Sequence, residues 1–128
     1  MSARTLKCSC KLIVNTSAFD KLIKRILKKE EVKGAVTLIL VGDPEIRELN
    51  RKFRHKNKAT DVLAFPMGEE GILGDIAIST ETAQRNAVRF KVTYKAELKR
   101  LIVHGVLHLL GYEHGRKMRN AEEIYEKL

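Results

Sequence analysis

Apolar residues along this chain recur at two spacings, and the switches between them mark out the elements. Leu6, Cys8, Cys10, Leu12 and Val14 alternate with Lys7, Ser9 and Lys11, the period-two pattern of a half-buried strand. Phe19, Leu22, Ile23, Ile26 and Leu27 then recur at helical spacing, with Lys21, Lys24, Arg25, Lys28 and Lys29 on the outer faces. After Gly34, the β-branched apolar run Ala35–Val41 predicts a central strand. Asp43 is expected to cap a second helix, with Pro44 at its first position and Ile46, Leu49, Asn50 and Phe53 as its inner stripe. Thr60-Asp-Val-Leu-Ala-Phe-Pro66 predicts a strand closed by its proline. A Gly-rich link over residues 68–74 leads to a short alternating strand over 75–79, and these two strands should pair as neighbours.

Ser79 or Thr80 can cap a helix over about residues 81–90, and Thr93 the one after it. The residues beyond His114 suit one short helix, with Met118, Ala121, Tyr125 and Leu128 facing inwards. This order of elements predicts an α+β fold with α/β-type layers, four strands and about five helices in a single domain over residues 1–128. The pattern shows no internal repeat and no domain boundary.

Composition narrows the class. Lys and Arg number 25 against 16 acidic residues, a net charge of +9, which suggests a polyanionic partner, most simply nucleic acid. Five of the cations fall in the eight residues from Arg51 to Lys58 (Arg51, Lys52, Arg54, Lys56 and Lys58), a run able to hold phosphate oxygens or simply to face solvent. No stretch is long and apolar enough for a transmembrane helix, and the first residues hold no apolar run of signal-peptide length. Cys8 and Cys10 would share one face of their strand, an arrangement unsuited to a disulfide. A cytoplasmic protein that does not enter a membrane is expected.

The chemistry concentrates in one stretch. Three of the four histidines lie in His104-Gly-Val-Leu-His108-Leu-Leu-Gly-Tyr-Glu-His114. On a helix His104 and His108 share a face, with Cβ atoms roughly 5–6 Å apart. Leu101, Ile102, Val103, Val106, Leu107, Leu109 and Leu110 make that helix apolar nearly all round, so it should be buried. Gly111 is placed to stop it, and the turn can carry His114 back to the first two. Three imidazoles leave a tetrahedral ion one open position, which marks a catalytic rather than a structural zinc site. The histidine spacing is that of the metzincin proteases, but their general base, a Glu in the second position, is replaced by Gly105.

The histidine motif, together with Thr60-Asp-Val-Leu-x-Phe-Pro66 and Leu73-Gly-Asp-Ile76, resembles the bacterial YbeY family over nearly the whole chain. These are zinc-dependent endoribonucleases, also described as rRNA maturation factors. One departure is visible: the residue before the last histidine, usually Asp in the family, is Glu113 here. The resemblance implies a mixed four-stranded sheet, one Zn²⁺ per chain held by His104, His108 and His114, and RNA as substrate. It also implies a place in 3′-end maturation of small-subunit (16S) ribosomal RNA and in ribosome quality control. The family's functional arginine, which follows an aromatic residue ahead of Thr-Asp-Val-Leu, matches Arg54 after Phe53. Arg51, Lys52, Lys56 and Lys58 are then expected to bind RNA, and no nucleotide cofactor is expected. Two alternatives stand beside this reading. One is a zincin-like metallopeptidase, which the absent base and the charge disfavour. The other is a non-catalytic RNA- or ribosome-binding module whose structural zinc has a fourth protein ligand.

Overall fold

The computed structural model describes residues 17–128. Its elements are α1 (Ser17–Lys29), β1 (Ala35–Val41), α2 (Asp43–Arg54), β2 (Val62–Glu69), β3 (Ile72–Ser79), α3 (Thr80–Phe90), α4 (Tyr94–Leu109) and α5 (Arg116–Glu126). All five expected helices are present. The sheet is mixed but has three strands among the described residues, where four were expected. The remaining expected strand, over residues 6–14 with Cys8 and Cys10, lies outside them.

Strand order is β1-β3-β2, with β1 parallel and β2 antiparallel to β3. The middle place among these strands therefore goes to β3 rather than to β1. The reason is the hairpin: β2 turns at Glu70 and Gly71 straight into β3, which then pairs with β1 on its other side. Pro66 does not close β2. It stands opposite Gly74, and the strand runs on to Glu69 across an irregular register. β2 is last in the strand order, the kind of position in which a strand tolerates proline. The following strand likewise starts earlier than expected, at Ile72.

Alternation along β3 divides the core in two. Ile76 and Ile78, with Leu38, Leu40 and Ala64, join the buried faces of α1, α4 and α5. Ala77 turns the other way and meets Leu63, Val41 and Ile46 of α2. α4 sits deepest: Leu98, Leu101, Ile102, Val103, Val106 and Leu107 are all 1% exposed or less, each burial contributing about 1.5–3 kcal/mol. Glu97 is buried in the same helix because Arg100 grips it at 2.9 and 2.6 Å and Asn86 of α3 donates to it at 3.1 Å.

The start of α2 differs from the expectation. Gly42, not Asp43, is the N-cap, and its N–H donates to the Glu45 carboxylate at 3.0 Å. Asp43 lies inside the first turn and uses its carboxylate to bind α2 to α3. It accepts from Ser79 and Thr82 at 2.6 Å each and from Arg85 at 2.7 Å. Burial pushes the Asp43 pKa up, but these three donors together outweigh it and hold it below the ordinary carboxylate value. Phe53, expected on the inner stripe, stands 58% exposed at the other end of α2.

Candidate active site

α4 begins at Thr93, whose hydroxyl accepts from the Ala96 N–H at 3.0 Å, and ends in a Schellman turn. The Gly111 N–H reaches the His108 carbonyl and the Tyr112 N–H the Leu107 carbonyl, both at 3.0 Å. Gly111 takes φ +95°, a conformation few side chains tolerate. This reversal brings His114 back over the helix. Its ring centroid lies 5.4 Å from that of His104 and 4.8 Å from that of His108. One ligating atom from each of the three histidines falls within 4.8 Å of the others, forming a group able to hold a metal ion.

The second nitrogens explain how the first are aimed. His104 Nδ1 lies 2.7 Å from Oε2 of Glu122 on α5, and His108 Nδ1 lies 3.1 Å from the Tyr112 carbonyl. Oxygens of a carboxylate and a carbonyl accept, so each Nδ1 is the donor, and in the neutral imidazole that leaves Nε2 as the lone-pair atom. These two Nε2 atoms are 3.1 Å apart. Two lone pairs at that separation repel unless a cation lies between them. Two nitrogens each about 2.0–2.1 Å from a tetrahedral ion such as zinc would be roughly 3.3 Å apart, close to the separation of this pair. Burial lowers the His108 pKa, and the neighbouring His104 and His114 push the same way, which favours the neutral, ligating imidazole.

Tyr112 is itself tied down. Its hydroxyl donates to the Glu30 carboxylate at the end of α1, at 3.0 and 3.2 Å, and the Tyr125 hydroxyl of α5 donates to the same carboxylate. Burial first, and then this carboxylate, raise the pKa of both phenols, which keeps them protonated donors. The turn that carries His114 is thus tied to the end of α1, and through Glu30 to α5.

A cleft of about 640 Å³ opens on the three histidines. It is also lined by Arg54, Lys56, Lys58, Asn50 and Asp61. Arg54 is exposed at the end of α2, donates to the Ala64 carbonyl at 2.5 Å, and lies 5.8 Å over the Phe65 ring. His55 turns the chain there with φ +59°. The buried Asn50 then fixes the loop: its side-chain amide donates to the Lys58 carbonyl at 2.9 Å, beside a bond from the Lys56 N–H to the Asn50 backbone carbonyl at 3.2 Å. This is why a polar residue occupies the inner stripe of α2. Arg51 and Lys52 do not line the cleft, and Arg51 is held by Glu48 at 3.0 and 2.5 Å.

Three residues escaped the sequence reading. Glu122 of α5 is the carboxylate on His104, while Glu113, next to His114 in sequence, is exposed in the turn. Glu30 and Asp61 were also missed. Glu122 was visible only as one more acid on the last helix, and Glu30 is 82 residues from its tyrosine partner. Gly105 gains a reason: a Cβ there would meet Ile76 Cγ2 at 2.8 Å, so any larger residue, a protease-type glutamate included, would have to displace Ile76 of β3.

Fold and site together define an α+β protein with a candidate metal centre in a basic cleft. A family model described as endoribonuclease YbeY matches residues 6–127, and the chain belongs to that family. It is similar to endoribonuclease YbeY of Aquifex aeolicus, 46% identical over 83% of each chain. The corresponding protein of Thermotoga maritima is 41% identical over 82% of this chain and 70% of its own. A Thermotoga maritima protein whose structure was determined in solution superposes with a TM-score of 0.68 at 35% identity, covering 88% of this chain and 79% of that one. No helix among the described residues is long and apolar enough to cross a membrane.

Proposed function

We propose that this protein is a zinc-dependent endoribonuclease specific for single-stranded RNA. We place it in the cytoplasm, acting in 3′-end maturation of small-subunit (16S) ribosomal RNA and in ribosome quality control. The observation that carries the reading is that three convergent imidazoles and Arg54 line one cleft. His104, His108 and His114 would hold one zinc per chain, and the chemistry supplied there is Lewis-acid polarisation beside the scissile phosphate. Glu122 and the Tyr112 carbonyl keep the imidazoles in the ligating tautomer. Arg54 binds a phosphate oxygen and stabilises charge as it develops there. Lys56 and Lys58 draw the RNA backbone into the cleft, and Arg51 and Lys52 add to the field outside it.

Neither alternative gains support. A peptidase of the metzincin kind needs a base at the position of Gly105, where a side chain would crowd Ile76. A structural zinc needs a fourth protein ligand, and the candidate ligand group among the described residues contains three histidines and no fourth residue. The test is to strip the protein with a chelator, restore zinc, and assay a single strand beside its duplex. Cleavage should vanish and return, and should be confined to the single strand. Undiminished cleavage by zinc-free protein, or equal cleavage of the duplex, would contradict the proposal.

A further inference from the structure

Phe53 is a large apolar side chain that the core does not use. Its ring is 58% exposed, yet its pose is set by an edge-to-face contact with Phe65 at a centroid distance of 5.4 Å. Phe65 is in turn covered by the Arg54 guanidinium. A lone exposed apolar residue needs no explanation. This ring is different in its surroundings: it precedes the cleft's arginine, with consecutive Cα atoms about 3.8 Å apart, and the next two cations along the chain, Lys56 and Lys58, also line the cleft. Proteins that hold single-stranded nucleic acid combine these two features, aromatic faces for bases and cations for the phosphates between them.

We propose that Phe53, backed by Phe65, is a stacking platform for one unpaired nucleobase of the RNA strand whose phosphate Arg54 holds. The inference rests on the endoribonuclease reading and adds a physical source for its strand preference. In a duplex each base face is already covered by its neighbours, so a helix offers phosphates to Arg54 but nothing to Phe53. Stacking tolerates every base, so the platform selects unpaired RNA without selecting sequence.

The chain contains no tryptophan, so Phe53→Trp places a single fluorescent indole on the platform. Zinc-loaded variant protein is mixed with a short single-stranded RNA carrying an end label, with the same strand as a duplex, and with inorganic polyphosphate. Emission and label anisotropy are read before cleavage proceeds. The single strand should quench the indole, while the duplex and polyphosphate should leave it unquenched. Phe53→Ala and Phe53→Leu should each weaken single-strand binding about 5- to 150-fold, the equivalent of about 1–3 kcal/mol per stacked base, with zinc content and the circular dichroism spectrum unchanged. Single-strand binding without quenching, or wild-type affinity in Phe53→Ala, would overturn the platform and leave the nuclease reading intact. Failure of the wild-type protein to bind any RNA would overturn both.

Discussion

On one side of the cleft, His104 and His108 rise from a helix whose inner residues are completely buried, and each imidazole is tied at its second nitrogen. On the other side, Arg54, Lys56 and Lys58 stand exposed at a helix end and in the loop beyond it. The difference matches two chemical demands. Ligands of a metal ion must be held to a fraction of an ångström, which requires packing and a supporting shell of hydrogen bonds. Side chains that collect phosphates along a variable strand, the part proposed for Lys56 and Lys58, gain from reach and solvation instead. Arg54 stands between the two, exposed but held by the Ala64 carbonyl and the Phe65 ring. Substitutions on the two sides should therefore fail in different ways.

The largest separation is expected at Arg54. Arg54→Ala should lower saturated turnover roughly 10²–10³-fold, about 2.7–4 kcal/mol of lost charge stabilisation, while the bound metal stays unchanged and the protein remains folded. Arg54→Lys should recover little, since a point charge cannot reproduce a two-pronged contact. Wild-type turnover in Arg54→Ala would reduce this residue to one tether among several.

On the histidine side, Glu122→Ala removes the partner of His104 Nδ1 without touching a ligand. Competition with a chromogenic chelator should show zinc affinity reduced by about 10–100-fold. Unchanged affinity would mean that packing alone orients His104. A smaller effect is expected at Lys56 and Lys58. Alanine at either should weaken RNA binding at low salt and reduce the slope of log affinity against log salt by about 1, with saturated turnover nearly unaltered.

The smallest effect concerns the anchoring of α2, which carries the cationic side. The folded-state pKa of Asp43 is lowered, so the unfolded chain takes up a proton first as pH falls. Its stabilising contribution is therefore complete above the ordinary value near 3.8 and is lost as pH drops through the lower folded value. Asp43→Asn should be less stable than wild type near neutral pH, and the gap should narrow in acid. A gap that stays constant down to pH 2 would show that the carboxylate's charge is not what binds α2 to α3.

What the sequence disclosed divides along the same line. Residues near one another in the chain declared themselves: the spacing of His104 and His108, the stop at Gly111 and the cap at Thr93 are all short-range geometry, and each is present. The hidden parts depend on segments far apart in sequence. Glu122 reaches His104 across 18 residues and Glu30 reaches Tyr125 across 95, and no local pattern encodes either contact. Asp43 looked like a cap because its neighbours fit that role, but Ser79, Thr82 and Arg85 claim it for a tertiary contact. Phe53 fits the helical spacing of an inner residue, yet the helix ends there and the ring leans on Phe65 at the surface.

The most direct test compares His108→Ala with Arg54→Ala in one experiment, reading zinc per chain and turnover on a single-stranded RNA. The account predicts that His108→Ala loses both its zinc and its activity. Arg54→Ala should keep about one zinc per chain and lose activity alone. A His108→Ala protein that retains full zinc, or that cleaves RNA at the wild-type rate, would contradict the claim that this cleft is a three-histidine metal centre.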